Sequence, residues 1–155
     1  MRALAHDRLL PARAGADVHI GVLGKKELAT SDQAARAMTI AFQDLSSTKV
    51  QGLPVTASLL GYSGAARLGE RLARDGIDVL YICSGLETEL ADIVELTRQR
   101  HVLSIAGVLG YLDRGVSLGV FTVLDSPTVF VNLGASKKEG AAFGSELLRL
   151  ARVIR

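Results

Sequence analysis

From Val18 onward the chain alternates between short apolar runs and longer stretches whose apolar residues fall on one side. Val18–Leu23 (VHIGVL) is β-branched and apolar, bounded by Asp17 and Gly24, and reads as a buried strand. Thr30 followed by Gln33 has the form of a capping box. Ala35, Met38, Phe42 and Leu45 then recur at helical spacing, which predicts an amphipathic helix. Gly52-Leu53-Pro54 closes that connection, and Val55–Leu60 predicts a second strand. Ala65, Leu68 and Leu72 mark a second helix, stopped by Asp75-Gly76. Val79–Ser84 is the most apolar strand. Glu87–Arg100 predicts a helix with Glu87, Glu89 and Asp92 at its start and Arg98 and Arg100 at its end, a polarity that suits the helix dipole. Leu90, Ile93, Val94 and Thr97 form its inner stripe. Val102–Val108 predicts a fourth strand and Gly110–Gly115 a loop. Val116–Leu124 and Thr128–Leu133 predict a hairpin turning at Asp125-Ser126-Pro127. A closing helix over about Ser136–Val153 is expected to bury Phe143, Leu147, Leu150, Ala151 and Ile154. Residues 1–16 read as a short helix, cut off at its start, and a turn.

Alternating strands and helices imply parallel strands joined by right-handed crossovers. The expected architecture is α/β: a three-layer Rossmann-like or flavodoxin-like sheet, mostly parallel, ending in an antiparallel hairpin and a C-terminal helix. The length of 155 residues suits a single domain spanning 1–155, and no linker, repeat or low-complexity tract divides it. Hydrophobic residues make up 48% and aromatics only 5%, with no Trp, so the core must be aliphatic.

Charge and composition then narrow the function. A net charge of +2, without a concentrated basic face or interleaved aromatics, argues against a nucleic-acid groove. No apolar run reaches the length of a membrane-spanning helix. The first residues lack the apolar core of a secretory leader. A cytoplasmic location and a leader already removed are both compatible with that. The single cysteine, Cys83, permits no intrachain disulfide and reads as a small core hydrophobe.

Catalytic patterns are missing. His6, His19 and His101 are widely spaced, which with one Cys leaves no metal-site pattern. There is no GxSxG or HExxH motif. Gly24-Lys25-Lys26 is not a phosphate-binding loop, and Gly21–Gly24 is not a dinucleotide fingerprint. The acidic pocket of a phosphorylated receiver domain is replaced by Gly24-Lys25-Lys26 and Ser84-Gly85. No cofactor is expected, and the chain reads as a non-enzyme.

Two places stay open. Ligands of open parallel sheets sit beyond the strand C-termini. Here those ends carry Gly24, Lys25, Ser84, Gly85 and Gly107. They read either as ordinary turns with solvated lysines or as a cleft for a small anionic or polar ligand. Lys137 and Lys138, placed in the first turn of the expected last helix, would oppose its dipole. They read either as a tolerated solvated pair or as a contact for an acidic partner.

The C-terminal third carries a resemblance. Phe130-Val131-Asn132-Leu133, Ala135-Ser136-Lys137-Lys138-Glu139-Gly140 and Ser145-Glu146-Leu147-Leu148-Arg149-Leu150-Ala151 resemble the closing signature of the YfiR family: an F-x-I-N-L strand, an A-A-x-x-x-G helix start and an S-x-L-L-x-L-A helix. His19–Gly24, Val50–Val55, Asp78–Ile82, Val102–Ile105 and the Arg114-Gly115 turn resemble further family segments in the same order. Asp7-Arg8 through Arg13-Ala14-Gly15 looks like a run that precedes the first strand in some members. The resemblance implies a non-catalytic, dimerising periplasmic regulator that represses a membrane-bound diguanylate cyclase or related inner-membrane sensor by protein contact, lowering cyclic di-GMP and biofilm matrix. The cysteine pairs of better-known members are not present. Gly115–Val120 stands where they carry Gly-Gly-Met-Ile-Asn-Phe. A small-molecule sensor using the strand-end cleft is the alternative.

Overall fold

The computed structural model describes residues 1–155. A single eight-stranded sheet organises the chain, in the order β2-β3-β1-β4-β5-β6-β7-β8. Strands β1 (Val18–Gly24), β3 (Leu53–Gly61), β4 (Val79–Ile82), β5 (Leu103–Ala106) and β6 (Leu118–Val123) run parallel. β7 (Ser126–Asn132) turns back antiparallel to β6, and β8 (Arg152–Ile154) lies parallel to β7. The short β2 (Lys49–Val50) pairs antiparallel with the start of β3. The five parallel strands are crossed in the flavodoxin order, with β1 flanked by β3 and β4, so the expected α/β sheet with an antiparallel pair is the observed one.

Successive strand residues face opposite sides, and each side has its own core. Ile20, Val22, Val79, Cys83, Leu103 and Leu118 point to the side covered by α2 (Ala29–Gln43), by the 3-10 turn Arg2–His6 and by α7 (Ser145–Leu150). Leu23, Leu60, Leu80, Ile82 and Ala106 point to the side covered by α3 (Ala65–Arg74) and α4 (Leu90–Arg100). All of these named strand residues are buried, as an aliphatic core without Trp requires. The inner stripe expected of α4 is also buried: Leu90, Ile93, Val94 and Thr97.

Several element boundaries differ from the sequence expectation for identifiable reasons. Thr30 and Gln33 form no capping box. Helix α2 starts at Ala29, with no side-chain hydrogen bond from its N-cap Leu28. Ser31 is buried, and its hydroxyl accepts the backbone N–H of Lys25 at 2.9 Å. Helix α4 begins at Leu90 rather than Glu87. Gly110–Gly115, expected as a loop, largely lies in α5 (Leu109–Asp113), which forms because Tyr111 and Leu112 are buried. The hairpin turns one step early, on Leu124 (φ 48°) and Asp125 (φ 61°), leaving Ser126 and Pro127 inside β7. Two consecutive left-handed residues match the right-handed strand twist that a two-residue hairpin needs.

The largest correction concerns the C-terminus. The single helix expected over Ser136–Val153 is three elements: α6 (Leu133–Lys138), α7 and β8. Gly140 at φ +80° ends the first piece, a backbone state glycine adopts without steric cost. Leu147 is buried as expected, but Leu150 is 80% exposed and Ile154 pairs in the sheet beside Asn132.

Candidate functional site

The parallel order reverses direction at β1 and β4, so the carboxyl ends of these strands form the topological switch point. Gly24 ends β1, and Cys83-Ser84-Gly85 follows β4. Helix α2 is packed directly onto this point. A Cβ on Gly24 would stand 2.6 Å from the Ala35 methyl and 3.0 Å from the Ser31 carbonyl oxygen. A Cβ on Gly85, at φ +89°, would stand 2.4 Å from a Leu28 methyl. Both glycines therefore serve the close approach of α2 and the chain leading into it.

Lys25 is engaged. Its ammonium pairs with Glu89, and that hydrogen bond, with Glu27 and Glu87 nearby, raises its pKa. The same pairing lowers the pKa of Glu89. Glu87 is held low by backbone N–H groups and by the Tyr111 hydroxyl, which donates to it at 2.9 Å. Tyr111 in turn accepts the Leu86 N–H at 3.1 Å. Glu27, Glu87 and Glu89 thus offset the charge of Lys25, while the second lysine at this end of the sheet, Lys26, lies along Gly61 at the end of β3.

Ser84 and Gly107 come together on the other side of the β4 end. They line a recess of about 190 Å³ with Ala34, Met38, Tyr81 and Cys83. The Tyr81 hydroxyl lies over Gly107, where a Cβ would come within 2.5 Å of it. Burial pushes the Cys83 thiol up to about 11, so the thiolate is scarce near neutral pH. Of the five residues singled out at the strand ends, Ser84 and Gly107 share this recess, whereas Gly24, Lys25 and Gly85 are occupied by packing and pairing with Leu28, Ser31, Ala35 and Glu89.

Lys137 and Lys138 are exposed, but they lie in the last turn of α6 rather than the first turn of a long helix. There they suit the dipole, and the expected misfit disappears. The next residue was not singled out by sequence and is more unusual. Glu139 is fully buried. Its carboxylate accepts from the Thr97 hydroxyl at 2.6 Å, the Ser104 N–H at 2.8 Å, the Ser104 hydroxyl at 2.7 Å and the Ser117 hydroxyl. Burial raises its pKa against the opposing pull of these donors. A second buried acid, Asp7, bonds the Arg13 guanidinium at 2.8 Å and accepts the Leu9 and Ala142 N–H groups. Arg13 also donates to the Gly140 carbonyl at 2.7 Å. The Asp7–Arg13 run is thereby a clamp between the N-terminal arm and the turn after α6. The sequence signals for these roles were the family-like runs Asp7–Gly15 and Ala135–Gly140 and the hydroxyls of Thr97 and Ser104 inside otherwise apolar stretches.

An α/β sheet of flavodoxin order, with recesses at and beside its switch point, defines a fold class and not one activity. Solved structures of other proteins share this fold. The chain superposes on a conserved domain protein from Vibrio cholerae O1 biovar El Tor with a TM-score of 0.66 at 11% identity, over 95% of this chain and 58% of that one. An ABC domain from Streptococcus pneumoniae in complex with L-Trp gives 0.63 at 11% identity, over 98% of this chain and 60% of that one. The ligand-free, open form of CD0873, an adhesive substrate-binding protein from Clostridium difficile, gives 0.65 at 14% identity, over 95% and 57%. The chain therefore spans somewhat under two thirds of each of these proteins. No curated protein matches it. The YfiR/HmsC-like family model matches residues 9–152, and the chain belongs to that family. No helix is long and apolar enough to cross a membrane.

Proposed function

We propose that this protein is a periplasmic regulator of cyclic di-GMP signalling that acts by contact with a membrane-bound diguanylate cyclase. The observation that carries this reading is membership of the YfiR/HmsC-like family over residues 9–152. The buried, highly raised Cys83 thiol and the paired Lys25 and Glu89 supply no activated nucleophile at the switch point, in keeping with a regulatory role. Lys137 and Lys138, adjacent and exposed at the end of α6, are the proposed contact for an acidic surface of the partner, and the working unit is a homodimer. Deleting the gene in its source organism is expected to raise cyclic di-GMP and matrix production. Re-expression of the wild type should reverse both, and a Lys137→Glu/Lys138→Glu form should not. Unchanged nucleotide levels after deletion would defeat the reading.

A second reading, a small-molecule sensor, rests on the recess that joins Ser84 and Gly107. Its lining of Ala34, Met38, Tyr81, Cys83, Ser84, Gly107 and Val108 carries no charged side chain, which favours a neutral ligand there. A rise in melting temperature with one member of a polar metabolite set, lost in Gly107→Val, supports it; a flat screen counts against it.

A further inference from the structure

Helix α2 covers only part of its side of the sheet. Beyond it, Ile20, Tyr81, Ile105 and Leu118, from four neighbouring strands, form the floor of a second recess of about 270 Å³. Met38 and Phe42 of α2 wall it on one side and Leu4 of the 3-10 turn on another. All ten lining residues are hydrophobic, and the two ionisable groups they carry, the Met1 α-amine and the Tyr81 hydroxyl, are both pushed by burial towards their uncharged forms. The Phe42 and Tyr81 rings meet edge to face at 5.7 Å, giving the recess an aromatic corner. Tyr81 and Met38 also line the strand-end recess, so the two recesses are neighbours that share these side chains, and the Tyr81 hydroxyl lies at Gly107 beside their shared wall.

We infer that this recess binds a small, uncharged, apolar molecule carrying one hydrogen-bonding group, which meets the Tyr81 hydroxyl. The lining decides the chemistry. Its volume would hold roughly nine waters, yet an ordered water needs two to four polar partners, and these walls offer almost none. A charged group would be desolvated without compensation. Size decides the occupant. Ten lining residues fall well short of the roughly 20–30 residues a side of a standard protein interface. Among the exposed large hydrophobic residues only Val120 lines the recess, at its mouth, while Leu109, Leu124 and Leu150 do not line it.

The site is independent of the cyclase reading, whose readout is nucleotide level. The test uses the neutral dye N-phenyl-1-naphthylamine, which is dark in water and bright in apolar surroundings and is excited at wavelengths where protein side chains do not absorb. Titration of the whole chain should show one saturable site per chain. Met38→Trp fills the recess from α2, and Val120→Arg sets a charge at the mouth, on a residue 48% exposed and so tolerant of change. Each should weaken binding about tenfold or more while keeping a cooperative thermal transition. Leu124→Ser and Leu150→Ser should leave it unchanged. Lack of saturable binding overturns the inference. So does binding that survives Val120→Arg or is lost in Leu124→Ser. A chain that sediments as a dimer and that Val120→Arg converts to monomer gives the recess to a second copy and overturns it equally.

Discussion

Replacing Glu139 tests whether a buried carboxyl with only neutral partners holds the C-terminal segment to the sheet. It receives one backbone N–H, from Ser104, and three hydroxyls. In Glu139→Ala the hydroxyls can rotate towards other acceptors, but the buried Ser104 N–H cannot. That orphaned donor costs about 1–3 kcal/mol, and loss of hydrogen bonds to a charged acceptor adds a comparable amount. A total near 3 kcal/mol is expected, which for a chain of this size lowers Tm by roughly 6–12 °C. Glu139→Gln should behave differently. Its amide oxygen can accept from Ser104, its NH2 can face the rotatable hydroxyls of Thr97 and Ser104, and the buried charge is gone. Near neutral pH it should lie within about 1 kcal/mol of wild type. Burial raises the folded-state pKa of Glu139 above the unfolded value. The folded protein therefore holds this proton to higher pH. Its contribution to stability is complete below the unfolded carboxyl pKa and is lost as pH rises through the folded one. Wild type should accordingly lose ground to Glu139→Gln as pH increases across that window. Urea unfolding of the three proteins at stepped pH reads all of this. An alanine variant within about 1 kcal/mol of wild type would refute the reasoning, as would a glutamine variant as damaged as alanine.

Asp7→Ala breaks the buried pair with Arg13, whose Nε already lacks a partner. A loss of about 3–5 kcal/mol is expected by chemical denaturation, and a loss below about 1 kcal/mol would mean that the N-terminal arm contributes little. Gly24→Ala forces a methyl to within 2.6 Å of Ala35 and should cost about 1–3 kcal/mol by shifting α2; an unchanged Tm would show that α2 yields freely. Native Cys83 should react with iodoacetamide at pH 8 about a hundredfold more slowly than an ordinary thiol, because its pKa stands at about 11 against the usual 9.0. Prompt labelling of the folded protein would contradict that.

Periodicity and composition determined the five parallel strands, the hairpin and the two helical faces, though not the short edge strands β2 and β8, because an apolar run of β-branched residues and a 3.6-residue stripe each permit few burial solutions, whereas two- or three-residue strands leave no pattern. VHIGVL, the stripe of Leu90, Ile93, Val94 and Thr97, and the hairpin after Val116 all report local constraints, and all stand close to where they were read. The C-terminal segment did not: Phe143, Leu147, Leu150, Ala151 and Ile154 fit one helix over about Ser136–Val153, but Glu139 is drawn into the Thr97–Ser104–Ser117 cluster, Gly140 takes positive φ, Ala142 bonds to Asp7 and Phe143 pairs with it as a β-bridge. The Glu139 cluster joins residues 22 to 42 positions apart, beyond the reach of any local pattern. The same holds for the site. Small residues at the strand ends marked the switch point, yet whether they opened a cleft depended on where Leu28, Ser31 and Glu89 came to rest. The apolar recess exists because α2 spans only part of its side of the sheet, a matter of how elements of fixed length tile a surface, which only the tertiary structure decides.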